Sequence, residues 1–224
     1  MLEFINISKK YAGHAALDDL SFSLPDGDFV FLVGPSGAGK TTVLKLILRD
    51  IDPTYGKVML DGVDIARLKS SKLPAHRRNI GMIFQDFKIL TDRTVGENIA
   101  LTLEIRNLAN RDINTRVEGI LKLVGLTNKK NFFPSELSAG ELQRVAIARA
   151  IIGSPKILLA DEPTGNLDPK TGWEILRILN EVNKTGTTIL MATHNFDIVN
   201  SMKKRVIALK AGRLVKDVKK GTYT

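Results

Sequence analysis

Between Gly34 and Thr41 the chain reads Gly-Pro-Ser-Gly-Ala-Gly-Lys-Thr, a spacing of glycines, lysine and hydroxyl suited to gripping a chain of phosphates. Gly34, Gly37 and Gly39 let the backbone enter conformations closed to residues that carry a side chain. With Pro35, Ser36 and Ala38 they can form a nest whose amides face phosphate oxygens. The helical pattern that opens at Lys40, Thr41 and Thr42 adds its positive N-terminal end. Lys40 supplies a point charge near the β and γ phosphates, and the Thr41 hydroxyl is suited to ligate Mg²⁺. An apolar run, FVFLV, precedes the loop and TTVLKLIL follows it, the strand–loop–helix context that the motif requires. ATP and Mg²⁺ are the expected ligands.

A second group of reactive side chains lies far along the chain. Asp161 and Glu162 follow the apolar run KILLA. Alone, two carboxylates there read as a strand cap. Beside a phosphate loop, Asp161 is placed to hold Mg²⁺ through water, and Glu162 to polarise the attacking water as general base. Gln85 follows GMIF and His194 follows TTILMAT. Each taken singly is an ordinary loop or surface residue. In register with the acidic pair, Gln85 is expected near Mg²⁺ and the water, and His194 at the γ-phosphate. Tyr11 offers an aromatic face for adenine, or is simply the last residue of a strand.

Ser138 and Glu141 form the capping box S-x-x-E at the start of an apolar-periodic helix. As structure, that accounts for both residues. A capped helix start also attracts anions, and Gly140, next to Ala139, allows close approach. Sequence mechanics leaves open which phosphate this segment serves.

These residues need elements to position them. The first thirty residues read as strands, with Pro25-Asp26-Gly27 as a turn. FVFLV, GMIF, KILLA and TTILMA are short apolar runs of the kind found in buried parallel strands. Each runs directly into polar groups, and in open parallel sheets ligands sit beyond the carboxyl ends of the strands. Four such ends describe one site. From about residue 86 to 152 the apolar spacing turns helical, in TVGENIALTLEI, NTRVEGILKLVG and ELQRVAIARAII. The expected architecture is α/β, with a phosphate-loop core and mostly parallel sheet over 1–85 and 153–224, an N-terminal β portion, and an inserted helical subdomain over about 86–152. The last residues, VKDVKKGTYT, are polar and expected to fray.

Bulk properties narrow the class. The 224 residues fit one domain, and 43% hydrophobic with 25% charged is ordinary for a globular protein. With no cysteine, disulfides, thiolate metal sites and a cysteine nucleophile are excluded. No secretory signal or spanning apolar run is present, which points to a soluble, cytosolic chain. The net charge is +9, compatible with nucleic acid, an anionic membrane face, nucleotide phosphates or a solvated basic surface. Lys203, Lys204, Arg205, Lys216, Lys219 and Lys220 gather late. They lack the interleaved aromatics of a single-strand platform, so no nucleic-acid partner is expected and contact with anionic lipid headgroups is the alternative. Phe87, Ile89 and Leu90 either pack inside the helical part or line a groove for a membrane-protein helix.

The phosphate loop, Gln85, the Ser138-to-Gln143 segment, Asp161-Glu162, Asn166-Leu167-Asp168 and His194 occur in the order of an ABC-type ATPase, and the resemblance covers nearly the whole chain. It implies a head-to-tail homodimer that sandwiches two ATP molecules. Ser138, Ala139, Gly140 and Glu141 would then meet the γ-phosphate held by the other copy's Lys40, and Asp168 would join the two sites. Gln-Asp-Phe-Lys-Ile-Leu from Gln85, Asp-Arg-Thr-Val-Gly-Glu-Asn from Asp92, Asp-Glu-Pro-Thr-Gly-Asn-Leu-Asp from Asp161 and Ala-Thr-His-Asn from Ala192 are similar to the FtsE family of bacterial cell-division ATPases. That resemblance implies an FtsX-like integral membrane protein as partner, at the cytoplasmic face of the plasma membrane at the division site. There, ATP-driven changes activate peptidoglycan hydrolases. The ATPases of lipoprotein-release and macrolide exporters share the Gly-Asn-Leu-Asp wording and are the alternative. A DNA-repair ATPase of the same class would need coiled coils or zinc modules for which this chain has no room or ligands. An ATP-gated clamp would need closure more than turnover, and Glu162 argues for hydrolysis. Ala139 stands where the family usually has glycine and Leu142 where it usually has glutamine.

Overall fold

The computed structural model describes residues 1–222; Tyr223 and Thr224, the end of the segment expected to fray, lie outside the described residues. The elements run β1 Leu2–Tyr11, β2 His14–Leu24, β3 Phe29–Val33, α1 Lys40–Ile47, β4 Tyr55–Leu60, β5 Val63–Asp64, α2 Leu73–Arg78 and β6 Ile80–Ile83. There follow α3 Val95–Glu104, α4 Asn110–Leu123, α5 Ala139–Ile151, β7 Ile157–Asp161, α6 Pro169–Lys184, β8 Thr188–Thr193, α7 Phe196–Met202, β9 Arg205–Lys210 and β10 Arg213–Val218. Between residues 86 and 152 the regular elements are helical, with short 3-10 turns between α4 and α5.

The first sheet, in the order β2-β1-β4-β5, is antiparallel. Its inward residues cross-pair: Leu2 faces Leu24 and Phe4 faces Phe22, and the two phenylalanine rings stack at 4.6 Å, a cross-strand contact that helps pin the register.

The second sheet has the order β10-β9-β3-β8-β7-β6. All its pairings are parallel except β10 on β9. Every residue of β3 and β8 is buried, which is why they read as continuous rather than alternating apolar runs. The pleat divides β3 between two cores. Phe29, Phe31 and Val33 pack with α3, α4, α5 and α6, whereas Val30 and Leu32 pack with α1 and the antiparallel sheet. The central strand thus holds the phosphate loop between two packed layers.

Two expectations need correction. The parallel sheet contains a fifth parallel strand, β9, which lies beside β3 on the side opposite β8. Its apolar stretch Val206–Leu209 is buried, but flanking lysines hide it within a basic segment. The residues after Arg213 are not frayed along their length either. Through Val218 they form β10, and the Gly221 amide donates to the Lys204 carbonyl at 3.1 Å. Arg205 donates to both carboxylate oxygens of Asp217 at 2.9 and 2.8 Å and lies 3.4 Å from Asp28. An arginine counted with the basic cluster is therefore committed internally.

Candidate active site

The strand ends arrive together because the register makes them do so. Val33 lies opposite Thr193, Asp161 opposite Ala192, and Ile83 opposite Ala160. The next residues along the chain are Gly34, His194, Glu162 and, two beyond Ile83, Gln85. They open on one cavity of about 770 Å³ lined by Pro35 to Thr42, Gln85, Asp161, Glu162 and His194, with His14, Ala16 and Phe196.

The loop's shape depends on its glycines. Gly34 has φ 150° and a Cβ there would sit 2.3 Å from the Leu209 carbonyl oxygen. Gly39, at φ 103°, would drive a Cβ to 2.7 Å from the Ala16 carbonyl and 2.6 Å from the Leu17 side chain. β9 and β2 thus press the loop from two sides, and only glycine fits between them. Lys40 Nζ donates to the Gly34 and Pro35 carbonyls at 2.7 and 3.1 Å, folding its charge over the loop.

Thr41 Oγ1 donates to Asp161 Oδ2 at 3.0 Å, tying the start of α1 to the end of β7. Burial pushes the Asp161 carboxyl above its ordinary value, and the charge of Glu162 pushes the same way, while the Thr41 hydrogen bond and Lys40 pull it down. Glu162 itself sits at φ 47°, a costly conformation for a glutamate and one that clusters at functional sites. It is held there by its amide, which donates to the Ala192 carbonyl at 2.9 Å. Its carboxylate meets His194 Nδ1 at 2.7 Å and the His194 amide at 3.4 Å. The Glu162 side chain is 11% exposed while that of His194 is 68% exposed, so the histidine stands between the carboxylate and solvent.

Gln85 opens a loop with two consecutive left-handed residues, Phe87 at 59° and Lys88 at 51°. Arg149 of α5 holds both by donating to their carbonyls at 2.9 and 2.7 Å. The buried Asn98 fastens the following turn, exchanging hydrogen bonds with both backbone groups of Leu90 at 2.9 Å. Phe87, Ile89 and Leu90 are partly buried, and Ile89 packs against the core. The groove beside this loop is lined instead by Phe84 and Lys88 of the same segment, with α2 and α3.

Tyr11 ends β1 opposite His14, with Lys9 Nζ 5.0 Å from its ring centre. It is exposed and adjoins the cavity through His14, which lines it together with Ala16. Sequence reasoning missed these two and Phe196. The signal for Phe196 was its place two residues after His194.

Ser138 to Glu141 are also elsewhere. With Arg144, Asn166, Leu167, Asp168, Thr171 and Glu174 they line a separate concavity of about 510 Å³. Ser138 caps α5: its hydroxyl accepts from the Glu141 amide at 3.3 Å, while the Glu141 carboxylate accepts from the Ser138 amide at 2.9 Å and hydroxyl at 3.0 Å. The backbone donor is the main reason the Glu141 carboxyl lies below its ordinary value. Ala139 is the first residue of α5, so its methyl sits in helical backbone. Asp168 caps α6 by accepting from the Thr171 amide at 3.1 Å; the Thr171 hydroxyl, and then this amide, hold its carboxyl below the ordinary value. A Cβ on Gly140 would come within 2.6 Å of the Thr171 methyl, so the two capped helix starts touch.

This fold and this strand-end site define a phosphate-loop nucleotide cassette. The ABC transporter family model matches residues 17–165. The cell-division ATP-binding protein FtsE of Bacillus subtilis is 48% identical over 224 residues, covering 100% of this chain and 98% of its own. That of Escherichia coli K12 is 47% identical over 215 residues, covering 96% and 97%. Among solved structures, the dimeric post-hydrolysis state of the ATP-binding cassette MJ0796, bound to ADP and Pi, superposes with a TM-score of 0.90 at 34% identity, with both chains covered in full. The cbiO1 protein of Clostridium perfringens, part of the ABC transporter complex cbiONQ, also gives 0.90, at 30% identity, covering 97% of this chain and 88% of its own. The chain belongs to the ABC transporter family and, within it, to the FtsE family of cell-division ATP-binding proteins. It is an ATPase, the ATP-binding subunit of a cell-division ABC system.

Proposed function

We propose that this chain is one half of an ATP-closed homodimer whose closure is passed to an FtsX-like integral membrane protein, switching on peptidoglycan hydrolysis during division. The observation that carries the dimer is the division of the site. Lys40, Thr41, Gln85, Asp161, Glu162 and His194 are near the phosphate cavity, and Ser138 to Glu141 with Asp168 line a different one. A second copy turned head to tail would lay its capped α5 start over the γ-phosphate. The dimeric MJ0796 cassettes support this reading.

In that arrangement the loop amides and Lys40 hold the phosphates, and Glu162 takes the proton of the attacking water while His194 keeps its carboxylate oriented. Mg²⁺ fits the donors present, because the Thr41 hydroxyl and Asp161 carboxylate are hard oxygen groups 3.0 Å apart on the cavity that Gln85 also lines. Thr41 and Gln85 would hold the ion, with Asp161 acting through water. When bound it offsets phosphate charge. Asp168 sits beside Ser138 at the proposed junction between copies.

The helical part, about residues 86–152, would act as the lever. A groove of about 750 Å³ runs between it and the sheet-bearing part, floored by apolar residues such as Met82, Phe84 and Leu101. It adjoins the Gln85 loop, so a membrane-protein segment lying there would sense the nucleotide site. Among the described residues no helix is long and apolar enough to cross a membrane, and the cytoplasmic membrane face at the division site is the proposed location.

Mixing tests the divided site. Lys40→Ala and Ser138→Ala are each expected to lose turnover alone. Mixed together they should recover about a quarter of wild-type turnover, because half of randomly paired dimers are hybrids with one intact site. No recovery would overturn the shared site. Recovery from membranes with a lipoprotein-release or macrolide permease, and no FtsX-like protein, would replace the division role with the exporter reading.

A further inference from the structure

The turn that joins β9 to β10 bears on the phosphate loop. Lys210 lies opposite Arg213, and the two residues between them, Ala211 and Gly212, have φ 49° and 77°, the paired left-handed conformation of a tight type I′ hairpin. Both polar backbone groups of Gly212 reach outside the hairpin. Its amide donates to the Ala38 carbonyl at 3.2 Å, and its carbonyl accepts from the Asp18 amide at 3.0 Å. A Cβ on Gly212 would sit 2.7 Å from the Ala16 carbonyl oxygen and 2.9 Å from the Leu17 Cα, so the turn is wedged against β2. On the outside, Arg213 grips Asp18 Oδ2 through Nε at 2.9 Å and Nη2 at 2.6 Å.

Ala38 belongs to the phosphate loop and is buried. The peptide that joins it to Gly39 is planar and trans, so the Ala38 carbonyl and the Gly39 N–H point in opposite directions. A carbonyl held by the turn therefore aims the Gly39 N–H away from the turn. That N–H has no acceptor among the described residues, and Gly39 lines the phosphate cavity. Ala16 and Leu17 press on Gly39 as they do on Gly212, so one stretch of β2 braces both the turn and the peptide it sets. A hairpin turn resting on β2 would stabilise the fold and nothing more; the amide aimed at Ala38 is what reaches the site.

We propose that Gly212 is a positioning residue for ATP binding: it fixes the Ala38–Gly39 peptide so that the Gly39 amide faces the phosphate chain. An amide already oriented needs no reordering when the phosphates enter, which raises affinity. This rests on the loop amides holding the phosphates, and it extends that site to the C-terminal hairpin.

The test measures ATP affinity of the full-length chain by equilibrium titration, and turnover at saturating ATP. Gly212→Ala adds a Cβ that must push the turn off β2. It is expected to weaken ATP binding at least tenfold, with turnover at saturating ATP within threefold of wild type. Gly221→Ala is the control: its Cβ would lie 2.4 Å from Val218 Cγ2 and 2.8 Å from Val206, straining the same hairpin without touching the loop. The melting temperature should fall there while ATP affinity stays within twofold. An equal loss of affinity in both variants would reduce Gly212 to packing and overturn the proposal. If Gly212→Ala does not fold, replacing the Gly212 N–H by an ester oxygen, in a chain joined from two segments, removes the donor alone. Affinity should then fall about fivefold or more, and affinity within twofold of wild type would overturn the proposal. Lys40→Ala checks the reading beneath it and is expected to abolish ATP binding. Retained binding in that variant would sink the phosphate-loop reading itself. Lost binding there, with affinity unchanged when Gly212 is altered, would sink only the positioning role.

Discussion

The two concavities of this chain are built by different means. The phosphate cavity is a matter of backbone clamped by strands: β9 and β2 press on Gly34 and Gly39 so closely that a Cβ at either would clash. The Ser138 concavity is made of two helix starts that touch at Gly140 and Thr171 and are capped by their own side chains. The first is shaped by strands that close in on its loop from two sides. In the second, Ser138, Glu141 and Asp168 already satisfy the nearby amides, so it stands preformed without any contribution from the phosphate loop. A surface that is finished yet faces away from its chemistry is suited to serve another molecule.

That contrast can be broken at Glu162, where the expected effect is largest. Glu162→Gln keeps the shape of the cavity and removes the proton acceptor, so turnover should fall by about a hundredfold or more while ATP binding persists. Size-exclusion chromatography with ATP should then show a trapped dimer. Normal turnover in this variant would show that the base lies elsewhere.

The Ser138 side should respond more gently. Ala139→Gly replaces the first residue of α5, and glycine there is expected to cost up to ~1 kcal/mol in a denaturant titration. ATP binding should be unchanged, and turnover should move by less than about tenfold, since in the proposed dimer the methyl would meet only the other copy's phosphate. A larger change in either direction would mean that position 139 governs closure.

The smallest effect sharpens the electrostatics of the first cavity. The Asp161 carboxyl is raised in the fold, so between its unfolded and folded values the folded chain binds more protons, and stability falls as pH rises through that window. Asp161→Asn removes the charge and retains an acceptor for Thr41. It should stabilise the nucleotide-free chain slightly at neutral pH and flatten the melting temperature against pH above the ordinary aspartate range. A variant less stable at neutral pH would show that the charge favours the fold.

The legibility of these features follows their physics. Four parallel strands could be read because burial on both faces makes each a continuous apolar run. β9 could not, since lysines flank its buried core, nor β10, whose burial alternates along its length. Lys40, Asp161 and Glu162 were readable as chemistry because each follows a recognisable strand or loop. Tyr11 was readable only as an aromatic near a strand end, whereas His14 and Ala16 reach the cavity through the hairpin register, which sets His14 opposite Tyr11. Phe87, Ile89 and Leu90 were open to two readings, packing inside the helical part or lining a groove; that loop turns through two left-handed residues held by Arg149, Ile89 packs on the core, and the groove's lining passes to Phe84 and Lys88.

By itself, then, the sequence determined the phosphate loop of Gly34 to Thr41, because its requirements are local: glycines where backbone must bend, a lysine and a hydroxyl at set offsets, a strand before and a helix after. It also determined that Ser138 and Glu141 cap a helix, a contact made within one turn. Only the tertiary structure decided that these two pieces open on different concavities, that Gly34 is pinned by β9, and that the β9–β10 turn reaches Ala38. Those are relations between residues far apart in the chain, set by sheet order and helix packing, and no local pattern carries them.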